Sequence, residues 1–314
     1  MTPRFAPSQL CSRPVLTAST ENPYEKGLEG PGLPSLTNSS LGPRTARQSK
    51  SSMRLTPRDV TIIELIARYR ALVADHVRLA LFSSGAASRA QRRLTLLVRN
   101  HYLDRLPRQS VNEPAVYLLS RRSYMGNRII RAKFGDGIFR RHMTKLGSLP
   151  HLLAINDVRV RVERASRDLG LTLRQWRTAE ELALNMPDKN LVPDGYFTLE
   201  QNSKLLRFFL ELERAQKSLR VVTSKLSRYA EFSRRAADQG SDSLFVLFVF
   251  DESLHPNSRR LEATQREAQR MGLLFPRLVN LQQLQALSPV DCLTRPIWLA
   301  PGHDSPIALI GARV

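Results

Sequence analysis

Two apolar runs rich in phenylalanine and leucine, at 192–197 and 205–213, constrain this chain more than any other feature. Their composition is that of neighbouring buried strands. The only acids inside them are Asp194, Glu211 and Glu213. Side chains alternate along a strand, so Glu211 and Glu213 project from one face. With Asn202 and Ser203 at the tip of a hairpin, Asp194 falls opposite or nearly opposite Glu211, their Cβ atoms about 5 Å apart. Two carboxylates at that distance can share one divalent cation. Lys225 follows on the next helix.

Charge narrows the choice of partner. The 314 residues hold 48 Lys+Arg against 28 Asp+Glu, a net charge of +20. Such an excess is offset by a polyanion, and nucleic acid is the first candidate. The longest apolar stretch, 244–250, falls far short of the roughly 20 residues that span a bilayer and reads as a buried strand, so no membrane partner is expected. Cys11 and Cys292 stand at opposite ends without metal-ligand spacing, which excludes a disulfide framework or zinc site and fits a reducing cytoplasm. Residues 1–52 hold seven prolines and nine serines without hydrophobic periodicity, the composition of a disordered tail. Arg4 and Arg13 suit a transit peptide, whereas Glu21, Glu25 and Glu29 oppose one. Met53, just before the first periodic segment, is a candidate alternative start.

From Thr56 the pattern becomes helical. Thr-Pro-Arg-Asp can cap a helix with proline at its first position, and Ile62, Ile63, Leu65, Ile66 and Tyr69 form an apolar stripe. A second helix is expected over 74–82. A third begins near Ala87, with Ala90, Leu94, Leu97 and Val98 facing inward. Its other face carries Ser88, Arg89, Gln91, Arg92 and Thr95, with Arg93 alongside, side chains suited to phosphates and to base edges in a major groove. Residues 102–106 and 115–119 read as the strands of a wing whose connection, 107–114, can touch a DNA backbone; Arg105 in the first strand and Arg108 in the connection are candidate DNA contacts. Between positions 53 and 150 there are 19 lysines and arginines against six acids, which favours DNA binding over a scaffold role. The expected organisation is a tail (1–52), a winged helix-turn-helix (53–134), a linker (135–150), an α/β domain (151–285) and a C-terminal extension (286–314).

The second domain reads as a helix (152–169), a strand (171–176), the acid-bearing hairpin, a helix (218–237), a strand (244–250) and a helix (258–271). Pro193-Asp194-Gly195, then 208–214 with Glu211 and Glu213, then Lys225-Leu226-Ser227-Arg228-Tyr229, resemble the PD-(D/E)xK nuclease-like superfamily. Together with the upstream winged helix they resemble, more closely, the replication-relaxation family of plasmid-linked DNA-binding proteins. The resemblance implies an α/β (α+β overall) fold with a restriction-endonuclease-like mixed sheet, in which Asp194 and Glu211 hold Mg²⁺. It also implies a lysine two residues after the glutamate, where this chain has Glu213. Lys225 can supply that charge from a helix whose buried face holds Leu219, Val222, Leu226, Tyr229 and Phe232. Glu213 would then serve as a third ligand or a base. His151 and Glu163 lie where this superfamily sometimes places an accessory acid.

A structural alternative pairs Glu211 and Glu213 with Arg207, Arg214 or Arg220. The histidines form no HxxxH or HxH pair, no glycine-rich phosphate loop is present, and no serine sits in a nucleophile elbow, which excludes zinc hydrolase, ATPase and serine hydrolase chemistry. The sequence points to a protein that binds double-stranded DNA in plasmid or mobile-element replication, relaxation or transfer, alongside replication or relaxosome proteins or a second copy of itself. A Mg²⁺-dependent endonuclease or nickase using Asp194, Glu211, Glu213 and Lys225 is the first rival. A transcriptional repressor with an α/β dimerisation domain is the second.

Overall fold

The computed structural model describes residues 53–82, 87–107, 110–120, 128–129, 131–132, 149–186, 188–202, 204–214, 218–237, 244–253 and 259–311. The tail, Cys11, Arg108 and nearly all of 135–150 lie outside these residues. Residues 54–314 form one compact unit.

Thr56 opens α1 (Pro57–Tyr69) through a reciprocal cap: the Asp59 amide donates to the Thr56 hydroxyl at 3.3 Å, and the Thr56 amide donates to the Asp59 carboxylate at 2.8 Å. A short strand β1 (Leu72–Val73), then α2 (Ala74–Leu81) and α3 (Ala87–Arg99), follow. Strands β2 (Leu103–Arg105) and β3 (Val116–Leu119) complete a three-stranded antiparallel sheet of order β1-β3-β2. Ile62, Ile63 and Ile66 of α1, Val77 of α2, and Ala90, Leu94 and Leu97 of α3 are buried together with Tyr117 of β3. Val98, expected inside, is only partly buried.

Helix α4 (Leu149–Asp168) begins three residues before the expected start. Pro150 falls in its first turn, where no amide donor is needed and a fixed helical φ is an advantage. Ala154, Val158, Val162 and Ala165 of α4 pack in the core against the larger sheet. Polar residues of the same helix are also buried, because they receive carbonyls from the N-terminal elements. Asn156 Nδ2 donates to the carbonyls of Tyr69 (3.0 Å) and Ala71 (2.8 Å). Arg164 donates to those of Leu79 and Phe82, and Arg167 to that of Ala80. These carbonyls lie at the C-terminal ends of α1 and α2, where no amide within the helix can reach them.

The larger sheet runs β4 (Thr172–Thr178), β5 (Gly195–Gln201), β6 (Lys204–Glu213), β7 (Leu244–Phe250) and β8 (Pro276–Asn280). The first two pairings are antiparallel and the last two parallel. Parallel neighbours need crossovers, and α6 (Leu219–Ala237) and α7 (Arg260–Arg270) supply them. With α5 (Ala179–Asn185) these helices cover one face of the sheet. Helices α4, α8 (Leu281–Ala286) and α9 (Pro289–Thr294) cover the other. β7, apolar at every position, runs between the two helical layers as a strand buried on both faces. In β6 the alternation splits cleanly: Phe208, Leu210 and Leu212 join the α4 side, Phe209 the α6 side. Rings of Trp176, Phe197, Phe208 and Phe245 stack across four strands with centroids 5.0, 4.9 and 5.6 Å apart.

Further features depart from the sequence expectation. β1, α5, β8, α8 and α9 have no counterpart in it. Leu219, at the first position of α6, is 47% exposed rather than buried. Residues beyond 285, expected as an extension, enter the core: Cys292, Leu293, Ile297, Trp298, Leu309 and Ile310 pack with α4 and β7, and Leu299 bridges to Leu278 of β8.

Candidate functional site: a buried acid cluster and an exposed basic helix

Gln201 pairs with Lys204, so the β5–β6 turn is two residues long, with Asn202 at φ 50°. That register makes Gly195 and Leu210 partners and sets Asp194 one step further on, across from Glu211. Gly195 lies against Trp176, whose ring would stand 3.2 Å from an added Cβ. The Asp194 amide donates to the Leu210 carbonyl at 2.9 Å, and Asp194 Oδ2 accepts from the Leu212 amide at 2.7 Å, standing in for a strand carbonyl as the ladder ends. Asp194 Oδ1 lies 2.9 Å from Nε2 of His151, in the first turns of α4.

Glu211 and Glu213 are 2% and 1% exposed. Val222, Leu226 and Tyr229 fasten α6 to the sheet, and Lys225, beside Leu226, extends between the two glutamates. Its Nζ donates to Glu211 Oε2 at 2.7 Å and to Glu213 Oε1 at 2.8 Å. The Tyr229 hydroxyl, one turn along the same face, donates to Glu211 Oε1 at 2.5 Å. Arg260 of α7 brings Nη2 to 3.7 Å from Glu213 Oε2, with its guanidinium over the Phe250 ring.

Burial pushes the Glu211 carboxyl up to about 7, against the pull of Lys225 and with the charge of Asp194 adding to the rise. Burial alone would lower Lys225, but Glu211 and Glu213 outweigh it and hold the ammonium above its ordinary value. Burial, then the Glu211 charge, raises the Tyr229 hydroxyl well above its usual range, so it remains a donor.

The four residues Asp194, Glu211, Glu213 and Lys225 are thus brought together, but their arrangement does not fit the expected Mg²⁺. Both oxygens of Asp194 and both of Glu211 already have partners. Mg²⁺ requires near-octahedral oxygen coordination and keeps several waters, whereas Glu211 and Glu213 have almost no solvent contact. Among the described residues, no group of three or more His, Cys, Asp or Glu side chains is placed to hold a metal ion. Of the two accessory candidates, His151 reaches the cluster. Glu163, three turns along α4, pairs with Arg159 at 2.9 Å. Arg214 pairs with Asp251 at 2.6 Å. Arg260 and the hydroxyl role of Tyr229 escaped the sequence reading. Tyr229 stood four residues after Lys225, on one helical face; nothing local marks Arg260, which the β7–α7 crossover delivers.

On α3, Ser88, Arg89, Gln91 and Arg92 are exposed, as is Arg105 on β2. Gln91 Nε2 donates to the Tyr117 hydroxyl at 3.0 Å, tying α3 to β3. Arg93, expected beside that face, is committed elsewhere: its Nε donates to Asp59 Oδ1 at 2.8 Å and its Nη2 to Oδ2. Asp59 is fully buried and needs that cation.

A family model described as replication-relaxation matches residues 63–247, a span that contains α3, the β5–β6 hairpin and α6. Among solved structures, the restriction endonuclease FokI is similar at 11% identity with a TM-score of 0.29, over 73% of this chain and 42% of that one. This chain therefore corresponds to less than half the length of that enzyme. A comparison with curated proteins gives no match. No helix among the described residues is long and apolar enough to cross a membrane.

Proposed function

This chain belongs to the replication-relaxation family, and from that premise we propose that it binds duplex DNA in plasmid or mobile-element replication, relaxation or transfer, reading it through a winged helix formed by residues 54–120. The observation that carries the reading is the state of α3. Gln91 fastens the helix to β3 and Arg93 fastens it to α1, while Arg89 and Arg92 stay exposed. A helix fastened at two points and presenting exposed guanidinium groups suits a major groove, and Arg105 on β2 suits the neighbouring backbone. In this reading the five-stranded unit is a nuclease-like module that supports binding.

Binding isotherms at several salt concentrations test it. Each phosphate neutralised adds about −0.9 to the log-log salt slope, so Arg89→Ala with Arg92→Ala is expected to weaken binding and flatten the slope by up to about 1.8. Isotherms that match the parent at every salt concentration would remove α3 as the reading element. The nearness of Asp194, Glu211 and Lys225 raises a second reading, Mg²⁺-dependent cleavage, against which stands the occupation of both Glu211 oxygens by Lys225 and Tyr229. That reading requires nicking of supercoiled DNA by the wild type, lost in Asp194→Asn. We expect no nicking above a metal-free control.

A further inference from the structure

We propose that α3 selects duplexes carrying two guanines on neighbouring or next-but-one base pairs, because the fold leaves Arg89 and Arg92 on its exposed face and withdraws the side chain that would read adenine. The inference deepens the DNA-binding reading and rests on it. Six polar side chains of α3 stand on or beside its outer face by helical position: Ser88, Arg89, Gln91, Arg92, Arg93 and Thr95. Three are already engaged. Gln91 Nε2 donates at 3.0 Å to the hydroxyl of Tyr117, a β3 residue that is 1% exposed, so its amide is held by the nitrogen although it stands at the surface. Arg93 gives its Nε and Nη2 to the two oxygens of fully buried Asp59. The Thr95 hydroxyl donates to the Gln91 carbonyl at 2.9 Å, one turn back. Ser88, Arg89 and Arg92 keep their exposure.

The chemistry of the major groove turns these commitments into a base preference. Guanine presents two acceptors, N7 and O6, and a guanidinium meets them with two parallel N–H bonds. Adenine presents the N7 acceptor beside the N6 donor, so its reader must give and take a hydrogen bond at once. A guanidinium has no acceptor. Gln91 carries the one side-chain amide of α3, and Tyr117 holds its nitrogen. Ser88 can bond to either base and selects neither. Arg89 and Arg92 are three positions apart, on one side of the helix, and rise about 4.5 Å along it, between one and two of the roughly 3.4 Å steps of a duplex.

The test incubates the full chain, at fixed salt, with a pool of duplexes randomised over a central segment and sequences the bound fraction. Guanine is expected at two positions, adjacent or one apart, each favoured about 5- to 150-fold over adenine. In the selected duplex, 7-deazaguanine at either position removes the N7 acceptor. It should weaken binding of the wild type about fivefold or more and have no such effect on Arg89→Ala with Arg92→Ala. Tyr117→Phe releases the Gln91 amide and is expected to add a preference for adenine at one further position. A bound pool without base preference, adenine at the selected positions, or a double variant as sensitive to 7-deazaguanine as the wild type would overturn the inference and leave DNA binding standing. An unchanged selection by Tyr117→Phe would overturn it too, since that hydroxyl would then not be what keeps Gln91 from the bases. Absence of any bound duplex, even at low salt, would instead remove the DNA-binding reading itself, and this inference with it.

Discussion

Asp59 is fully buried, and the donors around it account for its charge: the Thr56 amide and hydroxyl from its own cap, and Arg93 from α3. Burial alone would raise its carboxyl; Arg93 and Thr56 outweigh that and hold it below the ordinary value. A depressed native pKa means the unfolded chain takes up the proton more readily, so this contribution is complete above about pH 4 and fades as pH falls below it. Asp59→Asn is expected to cost roughly 2–4 kcal/mol at neutral pH, as Arg93 loses its partner, and to lose less stability than the parent on acidification. Urea titrations at pH 7 and pH 3 check both; parallel losses would assign the acid sensitivity to other groups. Tyr229 offers a companion measurement. Tyr229→Phe leaves Glu211 Oε1 without its hydroxyl donor, and we expect a loss of about 1–3 kcal/mol in the same titration.

At the scale of elements, α4 is the piece on which the others are assembled. Arg164→Ala with Arg167→Ala would leave the carbonyls of Leu79, Ala80 and Phe82 unmatched and loosen α2 from its support. Amide exchange over 74–82 should quicken at least tenfold while β5–β7 stays protected; uniform exchange across both would show that the two regions open together. The same helix shows why part of the fold was hidden in the sequence. α1, α3 and the hairpin were legible because Ile62, Ile66 and Leu94 follow the helical period of 3.6 and Phe208 and Leu210 the strand period of two. α4 was legible over 152–168 as well, but Pro150 resembles a linker residue and hid its first turn, and no apolar period marks its Asn156, Asp157, Arg159 and Arg161 as buried. α8 and α9 are six residues each, too short for a period. Asp194, Glu211, Glu213 and Lys225 could be read because one hairpin and its next helix place them. His151 and Arg260 arrive from α4 and α7, so their positions depend on packing that no local pattern encodes.

Across the whole molecule, residues 286–310 close the core on the α4 side, and a chain ending at 285 is not expected to fold. It would lose Cys292, Leu293, Ile297, Trp298, Leu309 and Ile310. At about 1.5–3 kcal/mol for each large apolar side chain, that loss rivals the roughly 5–15 kcal/mol by which domains are stable. Near-ultraviolet circular dichroism would lose its fine structure; a cooperative melt near the parent temperature would show instead that the segment is dispensable. Arg161 gives the same closure a clock. Its guanidinium donates to the carbonyls of Gln285 and Leu287, which follow it by 124 and 126 positions, whereas Arg164 and Arg167 bind carbonyls 82 to 87 positions earlier. At a synthesis rate of about 5–20 residues per second, α4 leaves the ribosome with one side already matched and waits roughly 6–25 s for the other. During that interval an arginine destined for burial has no carbonyls to bind, and the nascent chain is at its most open to a chaperone or a protease.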